Sequence, residues 1–181
     1  EDLRRPDTVA SEPKHYCGYG TPVGGLNCAP SAMGRHDVFA WGLPVFEQAF
    51  VEGGAWNTMC SYAAIDGQPV ASDHELLTEV LRGEYHMPGF VRSDMTAVAR
   101  LKGSFSTAKD NREAIRQGLE AGVDLQLYDF THEEWLESIT SLIESGEMSR
   151  EVLDTACGRV LKLKFALGLF ENPYVDESLY D

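Results

Sequence analysis

At 181 residues and 43% hydrophobic content the chain is long and apolar enough to bury one core, which excludes a disordered or fibrous protein. Its formal net charge of −14 makes the surface acidic and excludes nucleic acid or an anionic membrane as the main partner, since both select a basic face. No apolar run approaches the ~20 residues of a membrane span. The opening EDLRRPDTVASEP has no apolar signal-peptide core, so the chain is expected either to be cytoplasmic or to lack its leader.

Residues 9–16 read as a first strand, with Pro13 placed where no ladder N–H is needed. The Gly- and Pro-rich loop GYGTPVGGLNCAPSAMG follows and is too long for an ordinary connection, which points to function. Residues 36–51 carry a helical pattern with Val38, Phe39, Leu43, Phe46 and Phe50 on one side, kinked or divided by Pro44. A second strand, 56–62, closes on the turn Ile65-Asp66-Gly67-Gln68-Pro69. Ser72 and Glu75 form a capping box that opens a helix through Leu76, Leu77, Val80 and Leu81, ending near Gly83.

The third strand is 90–93, and a short helical piece follows Asp94. After the polar loop KGSFSTAKD comes a helix over 111–121, terminated by Gly122, and then a fourth strand over 123–127. Thr131 and Glu134 repeat the capping box before a helix with Trp135, Leu136, Ile139, Leu142 and Ile143 inward. Ser149 caps a last helix that reaches Leu167 and stops at Gly168, and residues 171–181 read as a linker.

This alternation predicts an α/β fold with parallel strands, about four β/α units, half of the eight that close a TIM-type (β/α)8 barrel. Strand C-termini of such folds point to one face, so Lys14-His15, Ser61-Tyr62 and Ser93-Asp94 are expected to converge there. Simpler roles stand beside that one. Asp94 is equally suited to cap the helix it precedes, Lys14 and His15 to be solvated, and Asp66 to make its turn. Asp124 suits a buried structural acid or a ligand. Met59 and Tyr62 are three apart, on opposite sides of an ideal pleat, so a bulge or a strand end is needed to bring both to one site. The four cysteines lack the paired spacing of a zinc site and read as free thiols, with a Cys17–Cys28 bridge left open. His36, His74, His86 and His132 share no ligand spacing, and neither a metal nor a cofactor is expected.

Taken in order, KHYCGYG, Leu43-Pro44-Val45-Phe46-Glu47, MCSYAAIDGQP, LLTEVLRGE, GFVRSD and KFALGLFENPYVD resemble the blocks of glycoside hydrolase family 3, the β-glucosidases and related exo-acting enzymes. The resemblance implies residues 1–170 as the C-terminal half of that family's barrel and 171–181 as a linker toward an absent α/β sandwich domain. Both missing pieces would pack against this chain. It implies Asp94 as the catalytic nucleophile, Lys14 and His15 as donors to substrate hydroxyls, Met59 and Tyr62 as flanks of the site, and an acid/base supplied from beyond the chain. The substrate implied is a small oligosaccharide or an aryl or alkyl β-glycoside, with glucosides or xylosides favoured because the loop after Gly20 lacks the Asp-Ser-His type pattern of the N-acetylglucosaminidase branch. Met95 stands where the family commonly has Trp, Ala63 where it often has Asn, and Arg92 where it has an apolar residue.

A retaining glycosidase needs one carboxylate to attack the anomeric carbon and an acid about 5 Å away to protonate the leaving oxygen. Asp94 can supply the first, and an ammonium from Lys14 would favour its ionised form. The competing expectations are a catalytically silent carbohydrate-binding or scaffold fragment, and an aldolase-like barrel using Lys14 as a Schiff base. Secreted, periplasmic and cytoplasmic locations all stay open.

Overall fold

The fold comes from a computed structural model that describes residues 3–5 and 8–179. Residues 1, 2, 6, 7, 180 and 181, and with them the outer ends of the expected 1–170 and 171–181 division, lie outside the described residues. The chain is mixed α/β around a parallel sheet. Strands β1 (Lys14–Tyr16), β2 (Thr58–Cys60) and β5 (Val91–Arg92) pair in the order β1-β2-β5, while β3 (Ala64–Ile65) and β4 (Gln68–Pro69) form a small antiparallel hairpin. That hairpin turns on Asp66 and Gly67, both at positive φ, the geometry that an Asp-Gly pair makes accessible.

All four strands are shorter than the pattern predicts, β2 keeping Thr58–Cys60 of residues 56–62 and β5 Val91–Arg92 of residues 90–93. The first keeps only Lys14–Tyr16 of residues 9–16, because Val9 is 82% exposed with nothing to bury against and the Pro13 carbonyl is taken by the Thr58 hydroxyl. The fourth is reduced to a parallel bridge between Arg92 and Leu125. Asp124 and Leu125 both donate their N–H to the Val91 carbonyl, so the ladder cannot advance in register.

The 36–51 pattern becomes a run of short turns: α1 (Arg35–Asp37), a π-helical turn Val38–Gly42, α2 (Pro44–Glu47) and a second π-helical turn Gln48–Glu52. Pro44, with no N–H to donate, starts α2 and divides the run as expected. Val38, Leu43, Phe46 and Phe50 are buried as predicted. Phe39 is not, and lies exposed beneath the Arg35 guanidinium. The segment Glu75–Glu84 is also π-helical, with Leu76, Leu77, Val80 and Leu81 inward. Its cap is Asp73 rather than Ser72: Asp73 Oδ1 accepts from the Leu76 N–H, while the Ser72 hydroxyl turns back to the Pro69 carbonyl. Glu75, instead of closing a capping box, pairs with Arg35, which also donates to Asp73.

α3 (Asn111–Ala121) starts at the Asp110 cap and ends at Gly122 in the left-handed conformation. α4 (His132–Glu144) is capped by Thr131 and α5 (Arg150–Ala166) by Ser149, as the sequence predicts. Leu136 departs from expectation by facing solvent. A large apolar cluster including Tyr16, Leu76, Val91 and Val98 underlies the sheet, and a smaller one joins α3, α4 and α5 through Ile115, Leu119, Ile139, Leu142, Met148 and Ala156. Gly118 lets α3 lie against the turn after β5, since a Cβ there would meet Val98 at 3.1 Å.

Buried polar contacts join these layers. Tyr16 packs edge-on against Phe46 and donates its hydroxyl to the Leu76 carbonyl at 2.9 Å, fastening β1 to the Glu75–Glu84 helix. Asp124 accepts from Arg82, from Arg159 on α5 and from the Val91 N–H, so one carboxylate ties a helix, β5 and the last helix together. The structural reading of Asp124 holds. Removing one partner from such a buried set costs about 3–5 kcal/mol, because it strands the remaining charge.

Candidate active site

The C-terminal ends of β1, β2 and β5 lie side by side, and three side chains meet there. His15 Nε2 is 3.5 Å from Asp94 Oδ2, with the two side chains 18% and 14% exposed. Tyr62, two residues beyond β2, is half-buried against the main core, with its phenol directed at Asp94. Burial, then the negative charge and hydrogen-bonding of Asp94, push that phenol up to about 12. It therefore stays a donor at any physiological pH. His15 titrates below its ordinary 6.5, mainly because it is desolvated and despite the pull of Asp94, so near neutrality it is an uncharged imidazole that can donate one N–H. Tyr19, in the long loop after β1, packs its ring 4.4 Å from that of His15.

Asp94 is not a helix cap. Its backbone carbonyl accepts from Ala97, but the helical turn that follows is capped by Asp129, whose Oδ1 accepts from the Val98 and Ala99 N–H groups at 2.6 and 3.1 Å. Nothing in the sequence pattern singles out Asp129, because it sits beyond the fourth strand and makes its contacts about 30 residues back along the chain. Its carboxyl is pushed up from the ordinary 3.8 by burial, against the downward pull of Ser93 and three backbone donors.

Lys14 and Met59 stand apart from this trio. Lys14 is exposed and, among the described residues, forms no ion pair with Asp94. It is the cross-strand partner of Met59, which is buried yet belongs to neither apolar cluster and is flanked on its other side by Arg92. The register shift between Lys14 and Tyr16 lies in β1, and Met59 and Tyr62 are not brought to one site: Met59 is buried within β2, whereas Tyr62 lies beyond its end. Arg92 has a structural explanation in Glu12, which pairs with it and also accepts from the Asn57 side chain at 2.6 Å. Ser61 and Ser93, expected to face the site, instead donate to the Cys17 carbonyl and to Asp129. Met95, beside Asp94, is 51% exposed.

Arg100 places its guanidinium 4.7 Å above the Tyr62 ring, so the phenol is held between a cation and a carboxylate. The cysteines are free thiols, Cys17 and Cys60 among them buried and pushed up to about 12 by desolvation. A cavity of about 570 Å³ lies elsewhere, between Leu3, Arg4, Arg5 and Thr8 and the turn after α5. At Asp94 three strand ends form a shelf, where a closed barrel makes a well. No described helix is long and apolar enough to cross a membrane.

A family model of the glycosyl hydrolase family 3 N-terminal domain matches residues 2–163. The periplasmic beta-glucosidase of Salmonella typhimurium is 33% identical over 167 residues, covering 92% of this chain and 21% of that protein. The lysosomal beta glucosidase of Dictyostelium discoideum is 32% identical over 172 residues, covering 95% of this chain and 21% of that protein. Among solved structures, the beta-glucosidase from Listeria innocua superposes with a TM-score of 0.89 at 33% identity, covering 97% of this chain and 24% of that one. That enzyme has been seen with isofagomine, and a variant of it with laminaribiose. The chain thus spans about a fifth of the length of the curated relatives it matches.

Proposed function

The chain belongs to glycosyl hydrolase family 3, and on that premise we infer that its 181 residues carry the nucleophile half of a retaining exo-β-glycosidase site, acting on β-glucosides or β-xylosides. The observation that carries this reading is the meeting of His15, Tyr62 and Asp94 at the ends of three parallel strands. In the first step an Asp94 oxygen attacks the anomeric carbon while the glycosidic C–O bond breaks. The departing oxygen takes a proton from an acid contributed outside this chain. In the second step water, deprotonated by that same group, displaces Asp94 and releases the sugar with its configuration kept.

His15 and Tyr62 serve this chemistry by donating to the sugar hydroxyls or to Asp94, both uncharged near pH 7. Lys14, exposed at the same strand, reaches a sugar hydroxyl only when substrate occupies the shelf, Met95 borders the shelf, and Met59 supports it from within the sheet. Residues up to 170 are then the C-terminal half of the barrel, about four β/α units, and residues 171–181 the linker that leaves it. The other half and the α/β sandwich domain would cover the open shelf.

The test is hydrolysis of aryl β-glucosides and β-xylosides by the complete protein and its Asp94→Gly variant. The parent should release the β-anomer first. The variant should be inactive until azide replaces the lost carboxylate and yields the glycosyl azide of inverted configuration. Parent-like turnover by Asp94→Gly would end the reading. The open shelf also favours a second outcome for the 181 residues by themselves: sugar binding without turnover. Robust hydrolysis by this chain alone would contradict that.

A further inference from the structure

We propose that Asp129 is a positioning residue for Asp94, setting the direction of its carboxylate from both sides at once. This rests on the reading of Asp94 as nucleophile. Two separate sets of contacts meet on the Asp129 carboxylate. Oδ2 accepts the hydroxyl of Ser93, the residue immediately before Asp94, and lies 3.2 Å from the Leu127 N–H. Oδ1 accepts the N–H groups of Val98 and Ala99, four and five residues after Asp94. The chain entering Asp94 and the chain leaving it are therefore fixed to the same two oxygens.

The frame around that carboxylate is closed further. The Ser93 hydroxyl accepts from the Leu127 N–H at 2.7 Å, and the Ser93 N–H donates to the Leu125 carbonyl at 2.9 Å. Between the two anchors the backbone must bend through Thr96, a β-branched residue at φ +63°, a conformation such residues seldom hold without support. Asp94 sits inside this clamp with its side chain meeting those of His15 and Tyr62, so the position of its carboxylate depends on where residues 93 and 98 are held. A plain helix cap would engage only the Val98 and Ala99 side. The bond to Ser93 and the shared Leu127 N–H have no capping role, and they are what links Asp129 to the reacting atom.

The experiment compares Asp129→Ala, Asp129→Asn and Ser93→Ala in the complete protein on an aryl β-glycoside, with folding followed by cooperative melting. Asp129→Ala should lower kcat on the order of 10²-fold, the usual effect of displacing a reacting group by about 1 Å, with KM changed less than about threefold. Asp129→Asn keeps one acceptor toward Val98 and Ala99 and should fall between parent and Ala. Ser93→Ala should lose about tenfold in kcat with little change in melting temperature.

A merely structural carboxylate would lower the melting temperature and leave the kcat of the folded fraction alone. A folded Asp129→Ala or Asp129→Asn with kcat within about twofold of the parent overturns the proposal, as does loss of folding in all three variants alike. Asp94→Gly separates the two readings. Parent-like kcat in that variant sinks the nucleophile assignment itself, whereas an inactive Asp94→Gly beside a parent-like Asp129→Ala sinks only the positioning role.

Discussion

Asp94 follows β5 and Asp124 precedes the Leu125 bridge to it, and the surroundings of the two carboxylates differ in kind. Asp124 is 1% exposed and fully engaged: two guanidiniums and a backbone N–H take up its oxygens, and it joins three elements. Asp94 is 14% exposed and, among the described residues, meets side chains that can also turn to a substrate, the His15 imidazole at 3.5 Å and the Tyr62 phenol. A carboxylate whose lone pairs are all spoken for builds the fold, whereas one left with spare lone pairs at a strand's C-terminal end is available for chemistry. Asp129 sits between these extremes, saturated like Asp124 but bound on both sides of Asp94.

Exchanging the two roles gives the largest effects. Asp94→Gly should lower kcat of the complete protein by more than about 10³-fold while leaving its melting temperature within a few degrees, measured by steady-state kinetics and calorimetry. Asp124→Ala should do the reverse, destabilising the fold by about 3–5 kcal/mol in denaturant titrations because Arg82 and Arg159 lose their partner, with kcat of the folded fraction nearly kept. Equal losses of kcat in both variants would erase the contrast.

His15→Ala is next. It removes the neighbour of Asp94 and should cost about 10- to 100-fold in kcat/KM, more than Tyr19→Ala, which only supports the His15 ring. The same imidazole makes a pH prediction. Its folded pKa lies below 6.5, so in the window under 6.5 the unfolded chain binds more protons than the native one. The stability linked to neutral His15 is therefore complete above 6.5 and is lost as pH falls through the folded value. An NMR titration of the His15 ring should show a midpoint below 6.5, and a midpoint at or above 6.5 would contradict the burial that produces the shift. The smallest effect belongs to Met95→Ala, expected within about 0.5 kcal/mol of the parent in stability because the side chain is exposed, with any change confined to the KM of glycosides with bulky leaving groups.

Much of this was readable from the residues because the signals were local. Thr131 and Ser149 cap where side chain and turn lie within three residues of each other, and Gly122 ends its helix by its own backbone freedom. The parallel sense of the strands followed from alternation, and His15, Tyr62 and Asp94 are three of the six strand-end residues expected to converge, Ser61 and Ser93 having turned to Cys17 and Asp129. What pattern could not supply were the partners distant in sequence. Glu12 answers Arg92 across 80 positions, and Asp129 replaces Asp94 as the cap. Asp73 displaces Ser72 because Arg35, 38 residues earlier, neutralises it there. Strand lengths failed for a related reason: a β-like run pairs only as far as a neighbour continues, and Val9 has none while Leu125 gives only a bridge.

The central claim is that Asp94 forms the covalent bond to the sugar. A 2-deoxy-2-fluoro β-glycoside with a good leaving group should arrest the complete protein as its glycosyl-enzyme, and peptide mass spectrometry should place the sugar on the segment VRSDMTAV at Asp94. A label on any other carboxylate, or equal labelling of Asp94→Ala, would contradict it.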